Sequence, residues 1–281
     1  MSPIALNPIR AVERLLVYPA PSRSKGDWSP RWIENEDVWF DSADGTKLHG
    51  WYVPHPEPKH VILYSHGNNE HVGNQVNQLL RLQSMLDATV LVYDYRGYGK
   101  SAGRPTEKGL IADGLAAHQW LLDRTGLAAH DVVLIGRSLG GGVSVAIAAE
   151  RGAKALVLDA TFPRMVDAAS YNYPWLPVKT LMLDRYDSLS RITQYHGPVF
   201  QSHRTTDEVV PVHLARQLTE QAPGDLKHFF EIPHGRHNES LPPDYYTALD
   251  KFLERAHRAQ NFRGVPLATL PSTASSVLQT Q

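Results

Sequence analysis

The sequence predicts an α/β fold: a mostly parallel sheet of about eight strands with helices on both faces and a small helical cap insertion. Three observations predict it. Short apolar runs alternate with helical stretches along most of the chain. The runs are continuously apolar rather than alternating, as strands covered on both faces are. One long stretch, rich in aromatics and prolines, breaks the alternation once.

Taken in order, residues 1–35 are proline-rich and irregular, apart from a short helix candidate with Ile9, Val12 and Leu16 on one face. VWFDSADGTKLHGWYV (38–53) reads as two strands joined at Ala43-Asp44-Gly45-Thr46, an antiparallel hairpin. HVILYSH (60–66) precedes a helix near 74–87, and TVLVYDY (89–95) one near 107–124. DVVLIG (131–136) precedes a helix near 139–150. KALVLDA (154–160), PVFQSH (198–203) and KHFFEI (227–232) complete the strands, with helices near 211–221 and 243–257 after the last two. Residues 161–196 are too long for an ordinary connection between helix and strand. They read as a helical excursion over one end of the sheet, or as an enlarged crossover. The expected organisation is an N-terminal segment 1–35, one domain 36–260 and a disordered Ser/Thr/Pro-rich tail 261–281.

Whole-chain properties exclude several function classes. The 281 residues carry a net charge of −1, which gives no electrostatic case for nucleic acid as a partner. The chain has no cysteine, so disulfides and thiolate chemistry are out. MSPIALNPIRAVERLLVYPAP lacks the apolar core of a signal peptide, and no run approaches the ~18 apolar residues of a membrane span. A cytoplasmic location is expected, with peripheral membrane contact left open. Asn238-Glu239-Ser240 matches a glycosylation sequon that reads as accidental without secretion.

The segment DVVLIGRSLGGGVSVAIAA (131–149) carries the chemistry. A dinucleotide-binding turn fails because Ser138 stands where its second glycine must be. A phosphate loop at Gly99-Lys100-Ser101 fails because Asp94 stands where its first glycine must be. What fits is Gly136-Arg137-Ser138-Leu139-Gly140, Gly-x-Ser-x-Gly between strand and helix, which raises a serine nucleophile on a tight turn. In that arrangement the acid and then the histidine follow the serine in the chain. Asp207 is the expected acid, with Asp159 as alternative and Glu208 as a solvated neighbour. His237 is the expected base, with His234 as alternative. The backbone N–H groups of Leu139 and Asn68 are the expected oxyanion donors, Asn68 also reading as a turn residue. The chain has 14 histidines but no His-Glu-x-x-His, so neither metal nor organic cofactor is expected.

Together these residues resemble the alpha/beta-hydrolase superfamily, and within it the small single-domain serine hydrolases often labelled serine-aminopeptidase-like. The carrying segments are LYSHGN (63–68), VLVYDYRGYGKSAGRPTE (90–107), VVLIGRSLGGGVSVAIA (132–148), LVLDATF (156–162), TDEVVP (206–211) and GRHN (235–238). The resemblance spans roughly 36–257, nearly the whole folded region. It implies Ser138, Asp207 and His237 as the triad, and a bracing role for Asp94–Glu107 in which Arg96 and Tyr98 could border the pocket. Relatives often carry glutamate and asparagine where this chain has Asp159 and Ala160. Many also have a membrane-spanning segment before the equivalent of LLVYPAP (15–21), which this chain does not match. The expected activity is hydrolysis of an ester or thioester of a small-molecule or acylated substrate. Tyr171, Tyr173, Trp175 and Leu176 are candidates for the acyl pocket, or for the excursion's own small core. A peptidase or amidase on the same triad, and a non-catalytic binding protein, are the rival readings.

Overall fold

The computed structural model describes residues 25–263, together with Glu13, Val17, Tyr18 and Pro19. The N-terminal helix candidate and most of the tail lie outside the described residues. Eight strands run β1 Glu36–Asp41, β2 Lys47–Val53, β3 His60–Ser65, β4 Ala88–Tyr93, β5 Val132–Arg137, β6 Ala155–Asp159, β7 Val199–Arg204 and β8 Lys227–Ile232. They form one sheet in the order β1-β2-β4-β3-β5-β6-β7-β8. β1 and β2 are an antiparallel hairpin, β2 also pairs antiparallel with β4, and every other pairing is parallel.

The covering helices are α1 Val76–Leu86, α2 Glu107–Thr125, α3 Leu139–Arg151, α7 Val212–Gln221 and α8 Pro243–Arg263. Local chemistry sets their ends. The Thr106 hydroxyl accepts the Gly109 N–H at 3.1 Å at the start of α2. Gly126 takes φ 70 just past its end and donates its N–H to the Leu122 carbonyl. α8 runs on to Arg263, past the expected tail boundary at 261.

Strand alternation divides the core. Leu63, Leu91, Leu134, Leu156 and Leu158 pack on one face with α2 and α3 residues such as Leu121 and Val143. Ile62, Val90, Val133, Ile135 and Val157 pack on the other with Leu79 of α1 and Leu249 and Phe252 of α8. Both faces are covered, which is why these strands read as unbroken apolar runs.

Residues 161–196 fold as three short helices: α4 Met165–Asn172, α5 Val178–Leu181 and α6 Ser188–Ile192. Polar bonds tie this excursion to the body. The Glu107 carboxylate accepts from Arg185 N–H (2.7 Å) and Arg191 Nη2 (2.8 Å). The buried Glu13 carboxylate accepts from the N–H groups of Leu183 and Asp184 at 2.7 and 2.9 Å. Tyr18 donates to Asp184 at 2.8 Å.

Candidate active site

The parallel strands end on one edge of the sheet, and the turn from β5 into α3 rises there. Ser138 occupies it at φ 50, ψ −115, a left-handed φ that strains a residue with a side chain. The surroundings hold that conformation. Ser138 N–H donates to the Asp159 carbonyl at 2.8 Å, and its own carbonyl accepts the Thr161 hydroxyl at 2.7 Å.

The two flanking glycines are required by proximity. A Cβ at Gly136 would lie 2.5 Å from the Gly140 carbonyl oxygen, and one at Gly140 would lie 2.1 Å from the Ser65 carbonyl oxygen. Gly140→Ala would therefore push α3 away from the end of β3. Such overpacking against backbone costs about 1–3 kcal/mol. The expected outcome is a fall in thermal midpoint together with loss of any activity that depends on Ser138, read by calorimetry and ester turnover.

His237 and Asp207 arrive from the loops after β8 and β7. His237 Nε2 lies 3.0 Å from Ser138 Oγ, and its Nδ1 lies 2.7 Å from Asp207 Oδ2. Asp207 Oδ1 accepts the backbone N–H groups of Val209 and Val210, both at 2.8 Å. A second histidine, His203, sits 3.3 Å from Asp207 Oδ2 and 2.7 Å from the Val210 carbonyl. Burial pushes the Asp207 carboxyl up, but hydrogen bonds from His203 and His237 outweigh it and hold the group well below the usual carboxylate range. Glu208 is more than a solvated neighbour: its carboxylate accepts the His237 N–H at 3.0 Å and fixes the histidine's backbone.

The alternatives stand elsewhere. Asp159 Oδ1 accepts from Ser202 Oγ at 2.8 Å and from Arg204 Nη1 at 3.2 Å, so its carboxylate serves those groups and not His237. His234 is exposed at φ 63, with its N–H on Thr205 Oγ1.

Leu139 N–H opens α3, where the helix favours negative charge. The loop after β3, with Asn68, begins where Gly140 meets the Ser65 and His66 carbonyls. The Asn68 side chain is fully engaged: Nδ2 donates to the Val17 carbonyl at 2.7 Å, and Oδ1 accepts from the Tyr98 hydroxyl at 2.7 Å and from Asn69 N–H at 3.0 Å. The side chain thereby holds the turn. Tyr98 and its neighbours brace this loop. Arg96 pairs with buried Asp113 at 2.7 Å and with Asp44 at 2.7 Å, locking the 94–107 segment to β1–β2 and α2.

Tyr171, Tyr173 and Trp175 are 58%, 49% and 75% exposed, and Leu176 is partly buried. Tyr173 and Trp175 meet edge to face. None of the four lines either of two clefts on the molecule. One, of about 640 Å³, lies between α2, α3 and the excursion. The other, of about 240 Å³, lies behind the His237 loop against α1 and α8. Among the described residues no cluster of three or more His, Asp or Glu could hold a metal ion, and no helix is long and apolar enough to cross a membrane.

Two residues missed from the sequence, Glu70 and Arg137, form an ion pair beside Ser138 and His237. Arg137 is the variable residue before Ser138, and periodicity gives no sign that its guanidinium reaches the His237 loop.

The family model for the alpha/beta hydrolase fold matches residues 60–188. An uncharacterised protein of Mycobacterium tuberculosis is 35% identical over 245 residues, covering 85% of each chain. The alpha/beta hydrolase domain-containing protein WAV2 of Arabidopsis thaliana is 30% identical over 242 residues, covering 78% of this chain and 79% of its own. Among solved structures, an esterase of Pyrococcus furiosus superposes with a TM-score of 0.69 at 23% identity, over 84% of this chain and 97% of its own. At that identity the likeness is one of fold.

Proposed function

Because the chain belongs to the alpha/beta hydrolase fold family, we propose that it is a serine hydrolase that cleaves carboxylic ester or thioester bonds through an acyl-enzyme. The observation that carries this reading is the continuous chain of hydrogen bonds Ser138–His237–Asp207, at 3.0 and 2.7 Å. In the proposed reaction His237 Nε2 takes the proton as Ser138 Oγ attacks the carbonyl carbon. Asp207 keeps Nδ1 protonated, so that Nε2 is free to accept. The main-chain N–H groups of Leu139 and Asn68 receive the charge that develops on the carbonyl oxygen. Loss of one such donor costs about 3–4 kcal/mol of barrier in enzymes of this chemistry. His237 returns its proton to the leaving group, and then activates the water that releases the acid.

The substrate proposed is a short-to-medium acyl ester or thioester. The aromatics of the excursion, Tyr171, Tyr173 and Trp175, are proposed to meet the acyl chain from the surface. A panel of p-nitrophenyl esters set against aminoacyl anilides tests this. Ester turnover faster than anilide turnover is expected, and faster anilide cleavage would make the protein a peptidase.

A further inference from the structure

Four charged side chains lie side by side beneath the proposed triad, on the ends of neighbouring strands and the loop after β3. They are Glu70, Arg137 at the end of β5, Asp159 at the end of β6 and Arg204 at the end of β7. The charges cancel, which makes their burial tolerable. Arg137 stands at the centre and touches both halves of the site. Its Nη1 pairs with Glu70 Oε1, while Glu70 Oε2 accepts the Gly67 N–H at 2.9 Å and Gln75 Nε2 at 3.2 Å. Its Nη2 donates to the His237 carbonyl at 3.1 Å and to Asn238 Oδ1 at 3.0 Å. Its Nε faces Asp159 Oδ2 at 3.7 Å. Arg204 extends the row, with Nη2 on the Glu239 carbonyl at 2.6 Å.

Both loops that Arg137 joins must be placed relative to Ser138, one for the base and one for the oxyanion donor at Asn68. The peptide that connects Arg137 to the nucleophile is the next one in the chain. A planar guanidinium can hold a carboxylate with one nitrogen and a carbonyl with another, and an ammonium cannot span the same points. Resting on the serine-hydrolase reading, we propose that Arg137 is a positioning residue that sets the base loop and the oxyanion loop to the nucleophile at once, through the His237 carbonyl and the Glu70 carboxylate.

The test is steady-state kinetics on a p-nitrophenyl ester, with folding followed by thermal midpoint and with fluorophosphonate labelling of wild type as the reference. Arg137→Lys keeps the charge and loses the fork. Glu70→Gln keeps an acceptor for Gly67 N–H and loses the ion pair. Both are expected to remain folded and to lose kcat by about 100-fold, the effect of roughly an ångström of misplacement, with KM changed much less. Arg137→Ala is expected to lose more. It should recover part of its kcat in low-millimolar guanidinium, because Arg137 lines the cleft of about 240 Å³, which has room for that ion. Urea at the same concentration should restore nothing.

Full kcat in Arg137→Lys and Glu70→Gln would overturn the proposal. So would losses that follow the folded fraction and show no rescue. If Arg137→Ala does not fold, the other two variants decide. A folded wild-type protein that resists the fluorophosphonate would sink the serine-hydrolase reading first, and that result is distinct from labelled wild type with indifferent Arg137 variants.

Discussion

Ser138→Ala is expected to lower kcat on any ester substrate by about 10⁴-fold or more while leaving the protein folded. The hydroxyl has one side-chain partner among the described residues, His237 Nε2 at 3.0 Å. The bonds that hold the turn, to the Asp159 carbonyl and from the Thr161 hydroxyl, run through the main chain and survive the change. Ser138→Gly sharpens the contrast. At φ 50 a residue with a Cβ is strained and glycine is not. The glycine variant should therefore be as inactive as the alanine variant and at least as stable, read by ester turnover and thermal midpoint. A fold that gains stability when its candidate nucleophile is removed carries strain there for a functional reason. Retained turnover in either variant would place the chemistry elsewhere.

Asp207→Asn should cost about 10⁴-fold in kcat with little change in fold. The surroundings dictate how the amide would sit. The N–H groups of Val209 and Val210 both point at Oδ1 from 2.8 Å and require an acceptor there. The amide NH₂ is then left facing His237 Nδ1 and His203. It would donate to Nδ1 and drive the proton to Nε2, the nitrogen that has to be free to take the Ser138 proton. The carboxylate also contributes to stability. Its folded value is depressed, so that contribution is present above the unfolded range of about 4 and is lost as pH falls through the lowered folded value. Acid denaturation should therefore begin at a higher pH in Asp207→Asn than in wild type. Because the group stays ionised throughout an ordinary assay range, its titration should not shape the activity profile above about pH 5.

Much of this site was legible in one dimension because its constraints are local. Gly136 and Gly140 are demanded by contacts within the elbow and between α3 and the end of β3. Ser138, Asp207 and His237 follow the ends of β5, β7 and β8 in that order. The unbroken apolar runs located the strands because both faces of the sheet are covered. What was not legible depends on contacts between distant residues. Arg137 and Glu70 meet across 67 positions, and Arg137 and Asn238 across 101. The second histidine on Asp207, His203, lay inside the strand PVFQSH and gave no signal of its own. Asn68 read as a turn residue, but its anchor on the Val17 carbonyl lies 51 positions away in the chain. The excursion was visible as an interruption, yet composition could not tell that Tyr171, Tyr173 and Trp175 face outward rather than inward. Ala160 takes φ 51, a left-handed conformation strained for a residue with a Cβ, and nothing in the sequence marked it.

Serine catalysis is tested most directly by exposing the folded protein to a fluorophosphonate probe and mapping the modified peptide by mass spectrometry. Stoichiometric modification of the peptide containing Ser138, absent in Ser138→Ala, is the predicted result. A folded wild-type protein that stays unmodified, or that carries the probe on a different side chain, would contradict it.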